Sequence, residues 1–208
     1  MKLSVSILNS KDRKEMIDKL NNANISYIHM DVMDGKFVSQ NTLSFQELRE
    51  LSSFSNKKLD VHLMMDNPEE YINNIKDLNN IENITIHLEI DKDIKKILSM
   101  IKSLGIKRGI SIKPNTDINK LLPYLNDIDL ILVMTVEPGL GGQPFIETST
   151  TRLKEIKKLI KDKDILIEVD GGINSNTINL VKDADIVVVG SYITCSDDPI
   201  SKINSLLV

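Results

Sequence analysis

Short runs rich in β-branched residues recur eight times along this chain, at residues 3–8, 27–31, 59–64, 84–88, 109–112, 130–135, 165–169 and 186–189. Amphipathic segments with helical spacing lie between them at 12–20, 45–52, 68–78, 94–104 and 153–160. Strands that alternate with helices return in one direction, which demands parallel pairing and right-handed crossovers. Two architectures meet that demand, a doubly wound open sheet and a closed (β/α)₈ TIM barrel. Eight even units favour the barrel. The 208 residues stand near the lower end of the barrel range and leave no room for an inserted second domain, so one domain over residues 1–208 is expected. Local signals agree. Asn67 before Pro68 fits a cap followed by proline in the first helical turn, and Gly105 sits where a helix should stop.

The net charge is −4 with Lys and Arg spread along the chain, so no basic block exists to attract nucleic acid or an anionic membrane. The single cysteine, Cys195, excludes an internal disulfide. No apolar run approaches the roughly 20 residues needed to span a bilayer, and no charged-then-apolar leader precedes the first strand. A soluble cytoplasmic protein is the expectation.

In a barrel, chemistry collects at the carboxyl ends of the strands. The polar residues follow that rule. Side chains alternate along a strand, so in Ile28-His29-Met30-Asp31-Val32-Met33 the residues His29, Asp31 and Met33 share one face. Ser6 lies at the exit of the first run, His62 and Met64 share a face of the third, His87 and Glu89 end the fourth, and Asp170 stands at the tip of the seventh. His29, Asp31, His62 and Asp170 thus come from three strands and can converge as two nitrogen and two carboxylate ligands. That set suits Zn²⁺, Fe²⁺, Mn²⁺ or Co²⁺ better than Ca²⁺ or Mg²⁺. Any one of the four alone reads as an ordinary polar residue at a barrel mouth, and the joint pattern points to one divalent ion. Met33, Met64 and Met134 can wall such a pocket, although each alone reads as core filling. Gly171-Gly172 and Gly190-Ser191 follow the last two strands, where phosphate-binding barrels present backbone N–H groups. Residues 137–144, with Gly141 and Gly142, have the composition of a mobile lid.

The stretches Ser-Ile-Leu-Asn-Ser at 6–10, Ile-His-Met-Asp-Val-Met-Asp-Gly at 28–35, Asp-Val-His-Leu-Met at 60–64, Val-Met-Thr-Val-Glu-Pro-Gly at 133–139 and Glu-Val-Asp-Gly-Gly at 168–172 resemble the ribulose-phosphate 3-epimerase family, in order and over the whole chain. The resemblance implies a barrel of the ribulose-phosphate-binding type that epimerises a pentulose phosphate at C3. It also implies that His29, Asp31, His62 and Asp170 hold the metal, and that Asp31 and Asp170 form the acid/base pair. By the same resemblance Ser6 is a pocket serine, the three methionines flank the metal, and Gly141, Gly142, Gly171, Gly172, Gly190 and Ser191 meet the phosphate. A homo-oligomer is implied as well.

That assignment makes chemical sense. Inverting a carbon beside a ketone requires removal of a C–H proton and return of one to the opposite face, through an enediolate. Two carboxylates flanking a flat intermediate can do this. Several positions depart from the family pattern: Val5 and Lys11 around the first motif, Ser39-Gln40 and Ser44 after the second strand, and Leu140 in the lid. The middle group borders the substrate, and Thr42-Leu43-Ser44 is reminiscent of epimerases acting on allulose 6-phosphate. A hexulose phosphate is therefore the alternative substrate, and a non-catalytic sugar-phosphate binder is the remaining one. A hexulose-phosphate synthase is disfavoured, because that group carries Asp-x-Lys where this chain has Asp60-Val61-His62.

Overall fold

The sheet closes. In the computed structural model, which describes residues 1–207, eight parallel strands pair in the order β1-β2-β3-β4-β5-β6-β7-β8 and the last returns to the first. The strands are β1 (Lys2–Ser6), β2 (Tyr27–Met33), β3 (Lys58–Met64), β4 (Ile81–His87), β5 (Lys107–Ile112), β6 (Leu130–Met134), β7 (Leu166–Asp170) and β8 (Ile186–Val189). Closure rests on four register pairs between β1 and β8, from Lys2 with Ile186 to Val5 with Val189. This is a (β/α)₈ barrel, and the open-sheet alternative falls.

Seven α-helices surround it: α1 (Arg13–Asn21), α2 (Phe45–Phe54), α3 (Pro68–Ile75), α4 (Ile94–Ser103), α5 (Ser149–Leu159), α6 (Ser191–Thr194) and α7 (Pro199–Leu206). After β5 and β7 the connections contain 3₁₀ turns instead, at Ile118–Tyr124 and Ile178–Val181. Pro123 lies inside the first of these, where it has no N–H for a longer ladder. The starts of α1 and α2 are written in side-chain chemistry. Asp12 accepts from the N–H groups of Lys14 and Glu15, and Ser44 and Glu47 form a reciprocal capping box. Asn67 does occupy the cap position of α3, but its side chain makes no capping bond, so Pro68 alone carries that signal. Gly105 has φ +73° just past α4, as a helix stop requires.

The larger apolar core lies between strands and helices. Fully buried Ile17, Leu48, Ile72, Ile97 and Ile156 of the helices pack on outward residues such as Val5, Ile28, Val61, Ile86 and Val169. The barrel interior has a different character. Its apolar part is a small cluster of Tyr27, Leu130, Leu132, Met134, Val136 and Ile186. Met33, Met64 and Val188 add apolar groups beside the cavity, and much of the rest is polar: Ser4, Ser6, His29, Asp31, Asp60, His62, Asn83, Thr85, His87, Ser111 and Glu168 are all buried. Buried polar groups persist only where they are paired or await a ligand. No helix among the described residues is long and apolar enough to cross a membrane.

Candidate metal centre

Register decides which inward side chains meet. Asp31 of β2 stands level with His62 of β3, and His29 stands level with Asp60. Asp170 ends β7, three strands from β2 around the closed sheet. His29, Asp31, His62 and Asp170 each offer one ligand atom, and these four atoms lie within 4.8 Å of one another. Asp31 Oδ1 is 3.4 Å from both His29 Nε2 and His62 Nδ1, and Asp170 Oδ2 is 4.0 Å from His62 Nδ1.

Among the described residues, His29 Nε2 and His62 Nδ1 are buried with no hydrogen-bond partner. Leaving two such nitrogens orphaned costs about 1–3 kcal/mol each. Both face the same pair of carboxylates, which is the environment a divalent cation needs. Two imidazole nitrogens and two carboxylate oxygens fit Zn²⁺, Fe²⁺, Mn²⁺ or Co²⁺.

The other edge of each group is held in place. Asp60 Oδ2 lies 2.6 Å from His29 Nδ1 and also accepts from Ser4 Oγ, while Asn83 Nδ2 donates to Asp60 Oδ1. A carboxylate behind a ligating histidine fixes its tautomer and orientation. His62 Nε2 lies 2.9 Å from His87 Nε2. Ser6 Oγ donates to Asp31 Oδ2 at 2.6 Å, a short charge-assisted bond.

The two candidate bases sit in opposed fields. Burial alone would raise Asp31, but the imidazoles of His29 and His62 hold it far below the usual carboxylate range. Burial and then the charge of Asp31 push Asp170 up to about 6. His29 is raised well above its ordinary value: burial opposes the charge, and the carboxylates of Asp60 and Asp31 outweigh it. Asp60 is drawn down to about 2 against burial by His29. Glu168, fully buried beside Asp60, is raised by burial and by that neighbour. Burial brings His87 down to about 4, so its ring is uncharged at neutral pH.

Above the four groups opens a cavity of about 470 Å³, a size typical of small-molecule sites. Ser6, Asp31 and Asp170 reach its floor, with His29 and His62 wholly buried beneath. Met33, Met64 and Met134 line one wall, and Gly141, Gly142, Gly171, Gly172, Gly190 and Ser191 line the rim. At the rim the chain comes close to itself. Gly172 has φ +68°, and a Cβ there would lie 2.5 Å from the backbone nitrogen of Phe145, so the loops after β6 and β7 touch at a point only glycine allows. Gln143 Nε2 donates to the carbonyls of Glu137 and Leu140, which ties residues 137–143 into a compact loop.

Residues 2–194 match the sequence profile described as the ribulose-phosphate 3 epimerase family. The chain belongs to this family. Ribulose-phosphate 3-epimerase from Helicobacter pylori strain J99 is 36% identical over 203 residues, covering 95% of this chain and 93% of the relative. The enzyme of that name from Bacillus subtilis is 36% identical over 176 residues, covering 82% and 81%. Among solved structures, KGPDC from Streptococcus mutans superposes with a TM-score of 0.69 at 14% identity, covering 99% of this chain and 95% of that one. The 3-hexulose-6-phosphate synthase of Salmonella typhimurium gives 0.70 at 19%, covering 99% and 96%. At such identities the likeness is one of fold.

Within this family member, sequence reasoning missed four groups at the site. Asp60 and Glu168 share inward parity with His62 and Asp170, a signal present in the chain but without a ligand template to attract notice. The contact of His87 with His62 depends on the register of β3 with β4, which the sequence does not print. Asn9 lies in the first loop against the lid, where a Cβ at Gly141 would meet its amide at 2.5 Å.

Proposed function

We propose that this chain interconverts D-ribulose 5-phosphate and D-xylulose 5-phosphate by epimerisation at C3, with Asp31 and Asp170 as acid and base and one divalent cation held by His29, Asp31, His62 and Asp170. One observation carries the reading: two carboxylates converge from separated strands on the floor of one cavity, and their surroundings push their proton affinities apart. Groups arranged that way divide naturally into acid and base. The names of the family relatives support the pentulose phosphate as substrate.

The hydrogen on C3 sits beside the C2 ketone and leaves only if a base meets it and the resulting charge is spread. Asp31, held ionised by its imidazole neighbours, accepts the proton from one side of the sugar. Asp170, in surroundings that grip a proton more tightly, is the donor on the other side when the pair carries a single proton. In the reverse direction the roles exchange. Ser6, donating to the second oxygen of Asp31, keeps the carboxylate turned toward the cavity. A bound divalent cation would supply Lewis-acid stabilisation of the negative charge that builds on the substrate oxygens. The methionine wall offers apolar, polarisable surface beside the flat enediolate and keeps water from it. The rim glycines, which carry no side chains of their own, let backbone N–H groups approach the phosphate.

Proton NMR in D₂O, with metal-loaded protein given D-ribulose 5-phosphate and D-allulose 6-phosphate together, tests the reading. Deuterium should enter C3 of the pentulose first, with xylulose 5-phosphate as product. Faster conversion of the hexulose would move the substrate to the alternative, and no exchange into either would overturn catalysis. Asp31→Asn and Asp170→Asn should each lower turnover by about 10²–10⁴-fold or more, because each removes one direction of proton transfer. Near-normal turnover in either variant would sink the two-base mechanism.

A further inference from the structure

Behind His62, on the side away from the cavity, runs a chain of polar contacts that the epimerisation chemistry does not use. His62 Nε2 and His87 Nε2 are 2.9 Å apart, and His87 Nδ1 is 3.1 Å from Glu89 Oε2. The remaining oxygen, Glu89 Oε1, accepts from the backbone N–H of Lys113 at 2.8 Å and from the hydroxyl of Thr116. His87 is fully buried and has two rings against it, His62 at 5.0 Å and Phe37 at 4.6 Å between centroids.

The polarity of this chain follows from counting protons. A carboxylate only accepts, so the nitrogen of His87 that faces Glu89 must carry the hydrogen. An uncharged imidazole has one N–H, which leaves His87 Nε2 as a lone pair. Its partner, His62 Nε2, must then be the donor. In the uncharged form that a cation requires, His62 also has one N–H, now committed, so its Nδ1 presents a lone pair, and that is the nitrogen 3.4 Å from Asp31 and 4.0 Å from Asp170.

We propose that Glu89 and His87 are positioning residues that set the tautomer of His62, relaying the acceptor character of a carboxylate outside the cavity to the nitrogen that faces the metal site. The proposal rests on His62 as a ligand. His29 achieves the same end directly, with Asp60 against its Nδ1. His62 has no carboxylate within reach of its rear nitrogen and borrows one through a second imidazole.

Glu89→Gln tests the relay because its effect is a reversal, with little change of shape. The two donors, Lys113 N–H and Thr116 Oγ, hold the amide oxygen at the Oε1 position, so the NH₂ group takes the Oε2 position and faces His87. His87 Nδ1 becomes the acceptor, Nε2–H points at His62, and the hydrogen of His62 moves to Nδ1, into the metal site. Two readouts are made. The first is ¹⁵N-histidine NMR of the metal-free protein, which reports which His62 nitrogen is protonated without metal or turnover. The wild type should carry the hydrogen on Nε2 and Glu89→Gln on Nδ1. The second is Zn²⁺ affinity by chelator competition, which should fall about 10–100-fold in Glu89→Gln, the usual effect of losing such outer partners. His87→Gln, whose amide oxygen can still accept from His62, should retain affinity within a few-fold, whereas His87→Ala should not. A wild-type His62 protonated on Nδ1, or equal Zn²⁺ affinity in His87→Gln and His87→Ala, would overturn the relay whether or not Glu89→Gln folds. Wild-type protein that binds no Zn²⁺ while showing the expected tautomer would instead overturn the metal reading alone.

Discussion

Acidification from pH 7 to 5 should weaken metal binding at the proposed site, and the least size of the effect can be worked from one side chain. Asp170 must be ionised to serve as a ligand, and in the metal-free site burial and Asp31 place it at about 6. The fraction available to a cation then falls about tenfold between pH 7 and 5, from a protonation factor of about 1.1 to one of about 11. His29 must be uncharged to offer Nε2, and although burial opposes its charge, Asp60 and Asp31 raise it well above its ordinary value, so its proton competes harder with a cation as the pH falls. Asp170 alone sets a loss of about tenfold, or about 1.4 kcal/mol at 1.36 kcal/mol per decade, and His29 adds to it in the same direction. Asp31 contributes nothing here, because its imidazole neighbours keep it ionised at both pH values. The sign is fixed: binding releases protons, so affinity rises with pH. Chelator competition with Zn²⁺ at the two pH values measures the ratio. Calorimetry in buffers of different ionisation heat counts the protons, and Asp170 should release close to one more at pH 5 than at pH 7. Asp170→Asn should bind more weakly at pH 7 and lose about tenfold less than the wild type on acidification, because one titrating ligand is gone. A wild-type loss under tenfold, or no greater proton release at pH 5 than at pH 7, would refute the assignment of Asp170 as a ligand held at about 6 in the metal-free site.

Asp60→Asn should lower Zn²⁺ affinity about 10–100-fold by weakening the hold on His29, and unchanged affinity would remove Asp60 from the metal site's support. Gly172→Ala should destabilise the fold by about 1–3 kcal/mol in urea unfolding, since a positive φ and a clash 2.5 Å from Phe145 N act together, and it should raise KM for the phosphorylated sugar. Ile97→Ala, in the layer between helices and strands, should cost about 2–5 kcal/mol with little change in KM, because that core carries the fold and lies outside the cavity.

How far the molecule was legible in its sequence differs by element. Ile186–Val189 is a strand over the same residues the β-branched run marks, because nothing but β-branched side chains occupies it. β4 begins at Ile81, three residues before the expected start, because Glu82 and Asn83 look like turn residues, although Asn83 is an inward group bonded to Asp60. α5 begins at Ser149, where the polar run Ser149-Thr150-Thr151 hides the first turn. The convergence of His29, Asp31, His62 and Asp170 could be anticipated from parity alone, since two-residue alternation fixes which face a strand residue uses. What parity cannot supply is the stagger of neighbouring strands. The contact between His62 and His87 needs that stagger, as does the stacking of Asp60 behind His29. The place of Asn9 against Gly141 needs the path of two loops, which no local pattern encodes.

The pairing of β8 with β1 also has a bearing on how such a molecule is made. A ribosome delivers the amino-terminal strands first, so His29, Asp31 and His62 are present in the nascent chain long before Asp170 has been polymerised. The strand that seals the sheet comes later still. A cation meeting the growing chain would find three ligands on an open, wet edge and no fourth. On the proposed ligand set, a complete metal site would wait for Asp170 and the closing strand, so the last quarter of the chain would set when a cation can be held.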